Sequence, residues 1–239
     1  MATENKTPIN NDPILAAAEQ SVQAEENRVK RNQKVIAWGI IATAAVLIVI
    51  LVYVFAIRRP GIEAGNQAIG QADTSLALGQ DSLALAQYKQ VADKYGYDAG
   101  NRAALNAAIL LYQQAAGETD QAAKEAKLNE ALKYCGKYSA KEQVIGAAAR
   151  SLEGDCYVNL GQLEKAVSCY QKAISTSDNN PYYTPLFMMK EATVQRALGN
   201  YSAEAALYEQ IQSQYPSYGQ GYGIDINKYL DRAKANAAK

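Results

Sequence analysis

Histidine is missing from all 239 residues. Its absence removes the commonest general base near neutral pH, the partner of serine and cysteine nucleophiles, and the imidazole ligand of metal sites. Carboxylate, lysine and tyrosine chemistry stay open. No GxxxxGK[ST] loop occurs and no GxGxxG follows a strand pattern, while the densest glycine cluster, GQGYG at 219–223, reads as a turn. These absences predict a protein that is not an enzyme, with no cofactor, no metal site and no small-molecule substrate. Cysteine is scarce: Cys135, Cys156 and Cys169 lack the close spacing of a zinc or redox motif, and an odd number leaves at least one unpaired. Small apolar residues packed between helices are the plain reading of all three. A bridge from Cys156 to Cys169 is left to geometry. Net charge is also lacking, because 24 basic residues cancel 24 acidic ones. Without a strongly basic block, phosphate-backbone binding has no electrostatic footing, and nucleic acid is not an expected partner.

What the chain does contain begins with an uncharged run, VIAWGIIATAAVLIVILVYVFAI at 35–57. At about 1.5 Å per residue it makes roughly 35 Å of helix, enough to cross a bilayer. Trp38 and Tyr53 lie near its two ends, where amphipathic rings favour the interface, and Lys34 and Arg58 with Arg59 close it. A cleaved signal peptide fits less well: the apolar core is too long, 34 residues precede it, and RRPGIEAGNQA offers no convincing cleavage site. Arg28, Lys30, Arg31 and Lys34 flank the N-terminal side and only Arg58 and Arg59 the other. Positive flanks stay in the cytoplasm. The expectation is a single-pass inner (cytoplasmic) membrane protein with a cytoplasmic tail at 1–34, a transmembrane helix at 35–57 and a periplasmic domain at 61–239. The tail opens on MATENKTPINNDP, polar and turn-rich. From Ile14 to Lys34 it can be helical, with Leu15, Val22 and Val29 spaced by sevens, too few positions for a coiled coil.

Beyond the Arg59-Pro60-Gly61 breaker the sequence is almost all helix formers with short turn signals, and long alternating β-branched runs are absent. It repeats itself. LALGQDSLALAQYKQVADKYG (76–96), NLGQLEKAVSCYQKAI (159–174) and ALGNYSAEAALYEQIQSQYP (197–216) share a Leu-Gly turn, an apolar stripe and a tyrosine nine residues after the glycine. The matched pairs are Gly79 with Tyr88, Gly161 with Tyr170, and Gly199 with Tyr208. A short insertion at Asn179-Asn180-Pro181-Tyr182 stretches the last period. Small and large residues at these offsets are what two close-packed helices need.

These spacings resemble the tetratricopeptide repeat, a helix-turn-helix unit, and residues 147–180 carry the likeness best: Gly154, Tyr157, Gly161, Ala166, Tyr170 and Ala173 fall where that family places small, large, turn, small, large and small residues. Arg150 and Glu153 stand in place of bulky apolar residues, Glu204 in place of a small one, and residues 101–138 carry an insertion, AAGETDQAAKEAK, between their helices. The resemblance implies an all-α solenoid of about four repeats, closed by a polar-backed capping helix at 226–238. Tail, single span and repeats together resemble membrane-anchored repeat proteins of Gram-negative bacteria, the ancillary subunit of the Sec translocon among them.

The resemblance further implies that the first helix of each repeat lines a concave face. Ala148, Ser151, Leu152, Asp155, Val158 and Asn159 fall there in the best repeat. Leu186, Met189, Lys190, Thr193, Arg196 and Ala197 do so in the last, and Arg102, Leu105, Asn106, Ile109, Tyr112 and Gln113 in the divergent one. Asn106, Tyr112, Asp155, Asn159, Met189, Lys190 and Arg196 are the candidate protein-binding residues, with Lys190, Arg196 and Asn159 a partial substitute for the family's carboxylate clamp. Tyrosine, 17 against 2 phenylalanines, fills core slots by spacing. Tyr182, Tyr183, Tyr215, Tyr218 and Tyr222 fall instead in turns, where exposed rings can meet a partner. The function implied is a scaffold or chaperone-like adaptor for other envelope proteins near a secretion or assembly complex. The alternative is a permanent structural subunit of an inner-membrane complex.

Overall fold

The computed structural model describes residues 13–220 and 223–238. The polar start at 1–12 lies outside the described residues, as does Tyr222 within the GQGYG turn. The chain forms two compact units, Met1–Pro60 and Gly61–Lys239.

The first unit holds α1 (Pro13–Val52) and a π-helical segment (Tyr53–Arg58). Pro13 suits a helix start, since its missing N–H would find no partner in the first turn. The stretch read as a helical arm is therefore helical. Along the apolar run most large side chains, Trp38, Val49 and Phe55 among them, are exposed. This helix is long and apolar enough to cross a membrane. Near its end the Arg59 guanidinium lies 4.3 Å from the centre of the Phe55 ring, a cation–π contact.

The second unit takes most of α2 (Arg59–Ala77), then α3 (Asp81–Lys94), α4 (Tyr97–Ala116), α5 (Gln121–Lys137), α6 (Gln143–Asn159), α7 (Leu163–Thr176), α8 (Tyr183–Ala197), α9 (Tyr201–Gln214) and α10 (Ile226–Ala237). No strand occurs among the described residues. From α3 onward each helix packs on its neighbours in sequence, and Ile69 and Ala72 of α2 share a core with Ala84, Tyr88 and Val91 of α3. The second unit is a stack of helical hairpins closed by α10, the all-α solenoid expected.

Three hairpins turn in the same way. Gly79, Gly161 and Gly199 have φ of 71°, 70° and 77°, a left-handed conformation that costs a side-chain-bearing residue roughly 1–2 kcal/mol. In each, the glycine N–H and the next N–H bond back to carbonyls of the last helical turn: Gly161 to Val158 at 3.0 Å and Gln162 to Tyr157 at 2.9 Å. Gly79 with Gln80 and Gly199 with Asn200 repeat the pattern on Leu76 and Ser75, and on Arg196 and Gln195. These six-residue loops satisfy carbonyls that a helix end otherwise leaves open. The α4–α5 hairpin differs. Gly117 keeps a right-handed backbone, and Asp120 caps α5 by accepting from the Ala123 N–H at 2.7 Å. AAGETDQAAKEAK is therefore not an inserted connection: its first two residues end α4, residues 117–120 turn, and the rest starts α5.

Ala166, Tyr170, Ala173 and Tyr208 are buried, and Tyr157 half-buries against Ala166 and Tyr170. A Cβ added at Gly154 would stand 2.6 Å from Cε1 of Tyr170, so only glycine allows α6 this close to the ring. All three cysteines are buried free thiols. Burial pushes the Cys156 thiol up to about 12 and raises Cys135 and Cys169 as well. The residues out of place for the repeat find partners. Arg150 and Glu153 pair with each other at 2.8 Å, and Glu204, completely buried, accepts from Arg232 of α10 at 2.8 Å.

Candidate functional site

Because the hairpins stack, their first helices come together: α6 lies against both α4 and α8. Between the three opens a cavity of about 310 Å³, lined by Leu105 and Ile109 of α4, Ala148, Ser151, Leu152 and Asp155 of α6, and Tyr183, Leu186, Phe187 and Lys190 of α8. Eight of these ten belong to the stripe assigned above to the concave face; Tyr183 and Phe187, stacked with centroids 6.3 Å apart, do not. The wall is mostly apolar, with one charged end.

That end is built around Asp155. Its carboxylate accepts from the Tyr170 phenol at 2.7 Å and from the Lys190 ammonium at 2.9 and 2.6 Å, and Lys190 also donates to Ser151 Oγ at 3.0 Å. The ammonium lies 5.9 Å from the Tyr170 ring centre. Burial first, then the charge and hydrogen bond of Asp155, drives the Tyr170 phenol well above its usual range. Tyr170 therefore stays a neutral donor at any physiological pH.

The same construction occurs once more. Tyr88 of α3 donates to Asp73 of α2 at 2.5 Å, and Arg102 of α4 reaches Asp73 at 3.2 Å. Burial and then the Asp73 hydrogen bond push the Tyr88 phenol up to about 12. Both tyrosines follow their aspartate by 15 residues. A carboxylate on a first helix, a phenol on its hairpin partner and a cation from the next first helix thus tie one hairpin to the next. In α8 the corresponding position is Thr193, whose hydroxyl turns to the Met189 carbonyl. This 15-residue pairing was present in the sequence and went unread there.

The other candidate residues divide. Asn159 donates to the Asp155 carbonyl at 3.0 Å and faces the Tyr112 hydroxyl at 3.5 Å, so both sit beside the charged end. Asn106 lies beside the first cluster and offsets part of the upward push on the Tyr88 phenol. Met189 turns to the core shared by α8, α9 and α10. Arg196 is exposed in the last turn of α8, whereas Lys190 and Asn159 are engaged with α6. Among the turn tyrosines, Tyr182 is exposed, but Tyr215 is buried with its hydroxyl 3.4 Å from Asn179 Oδ1; it fills space under the α9–α10 connection instead of meeting a partner.

The family model for the tetratricopeptide repeat matches residues 149–179, most of α6 and all of α7. The chain carries a tetratricopeptide repeat. That repeat supplies Ser151, Leu152, Asp155 and Tyr170 to the cavity and its charged end. Among solved structures, a crystal structure of MamA aligns with 17% identity and a TM-score of 0.49, covering 70% of this chain and 94% of that chain. No curated protein sequence matches. Within the repeat, no cluster of three or more metal-ligating side chains occurs, nor does one elsewhere among the described residues.

Proposed function

We propose that the chain is a membrane-anchored scaffold whose tetratricopeptide groove binds a segment of another envelope protein. The observation that carries this reading is the cavity between α4, α6 and α8: apolar along Leu105, Ile109, Leu152 and Leu186, and closed at one end by Asp155 and Lys190. Such a wall suits an extended or helical segment with apolar side chains next to a polar group. The apolar helix of the first unit is the anchor, holding the groove near its partners and raising their local concentration. The four-to-two charge bias about that helix supports a cytoplasmic N-terminus and a periplasmic repeat unit. Glu191 is buried between Gln171 and Gln195, accepts from both amides, and has its carboxyl pushed upward by that burial.

Photocrosslinking from inside the cavity tests the proposal. With a photoreactive amino acid at Ile109 in the full-length membrane protein, we expect a discrete adduct that Leu152→Arg abolishes, while the same probe at Ser168, exposed on α7, gives none. Adducts from Ser168 alone would move binding to the outer helices. A single stoichiometric adduct after mild detergent extraction identifies a permanent subunit, and a varied set identifies an adaptor.

A further inference from the structure

We propose that Arg28, Lys30, Arg31 and Lys34 form a contact surface for anionic lipid headgroups, gathering acidic lipid around the start of the span. The inference rests on reading residues 35–57 as membrane-spanning. All four side chains are exposed on α1. At about 100° per residue they fall within an arc of about 160°, and Trp38 falls inside the same arc. Val22, Glu25, Val29 and Gln33 occupy the other side of the helix. The four charges lie close to the apolar boundary at Val35: Lys34 is one residue away and Arg28 about 10 Å along the axis. Charges within about a Debye length, 8–10 Å, feel a lipid surface potential.

The acids leave this cluster available. No Asp or Glu occurs between Glu26 and Glu63. Glu26 itself pairs with Lys30 at 3.3 Å, both side chains more than half exposed, and exposed pairs at that spacing are weak enough for a headgroup phosphate to compete. Glu25 sits on the opposite side and Glu19 lies two turns further out. A basic cluster directly flanking a span gains roughly 1 kcal/mol per side chain from an anionic leaflet. The favoured ligand is accordingly a phosphodiester or phosphomonoester headgroup with net negative charge.

Trp38, the chain's single tryptophan, reports on the lipid beside it. The full-length protein is reconstituted into vesicles of phosphatidylcholine and phosphatidylglycerol, with either lipid carrying brominated acyl chains at the same mole fraction. We expect brominated phosphatidylglycerol to quench Trp38 at least about twofold more than brominated phosphatidylcholine. The excess should shrink when salt is raised from about 0.05 to about 0.5 M. It should vanish in the variant Arg28→Gln, Lys30→Gln, Arg31→Gln, Lys34→Gln, whose helicity and thermal melt are checked against the parent. Equal quenching by the two lipids overturns the proposal, and so does an excess that survives the four substitutions. A tryptophan that neither lipid quenches rejects the span itself.

Discussion

Gly154 shows how much a single missing methyl decides. In the other two glycine-turn hairpins the same position holds Ala72 and Ala192, each packed near a buried tyrosine, Tyr88 or Tyr208. Only α6 approaches so closely that an added Cβ would meet the ring at 2.6 Å. Gly154→Ala should therefore cost about 1–3 kcal/mol by overpacking, and Gly154→Leu more. Thermal melts of the detergent-solubilised full chain followed by circular dichroism measure this, and a melt unchanged by the leucine would remove the close approach from the account. Signals of this kind were readable in advance because glycine, alanine and tyrosine alternated at helix-pair offsets. Gly100 was not: its neighbour in the way is a backbone atom, the Tyr95 carbonyl oxygen, and no side-chain pattern announces where a loop carbonyl will point. Tyr97, at a φ of 59°, was equally unreadable, since tyrosine carries no preference for that conformation.

At the scale of elements, legibility followed the turns. Hairpins ended by a left-handed glycine can be placed from Leu-Gly alone, whereas the α4–α5 turn reads as an insertion because Gly117 is right-handed and Asp120 starts α5 as its N-cap. Eight of the first-helix stripe positions line the cavity, yet nothing in their spacing announces that Asp155 and Lys190 satisfy one another. Such pairings depend on how α6 and α8 are juxtaposed, which no local pattern specifies. The cap is where a break in the pattern proved informative. Glu204 occupies a slot that Ala84 and Ala166 fill in other hairpins, and it is tolerable because α10 delivers Arg232 to it. One carboxylate oxygen of Glu204 and Nε of Arg232 have no protein partner, so the pair is only partly compensated. Arg232→Ala should destabilise by about 2 kcal/mol or more, because it strands a buried charge. Glu204→Ala restores the small residue and frees an arginine that is 38% exposed and can reach water; its urea midpoint should stay closer to wild type. The reverse order would mean that the ion pair does not hold the cap.

For the whole molecule the proposed anchoring turns on which side of a membrane the repeats occupy. The native thiols cannot report it while folded, being buried and shifted upward. Ser168→Cys can, since Ser168 is exposed on α7 and hydrogen-bonds only the Glu164 carbonyl of its own helix. In intact spheroplasts a membrane-impermeant maleimide should label Ser168→Cys, while Asn32→Cys, exposed on α1, should need lysis. Labelling in the opposite order would reverse the proposed topology. The buried thiols add a constraint of timing. In the oxidising compartment proposed for the repeats, a chain emerging from the membrane presents Cys135, Cys156 and Cys169 to oxidants before the helices that will cover them have closed. The finished interior has no bridge among them, so any disulfide formed early is a wrong one that must be undone. Under that proposed topology α5, α6 and α7 have to assemble faster than their thiols oxidise, and reduced Cys135, Cys156 and Cys169 in protein recovered from cells under alkylating conditions are its expected mark.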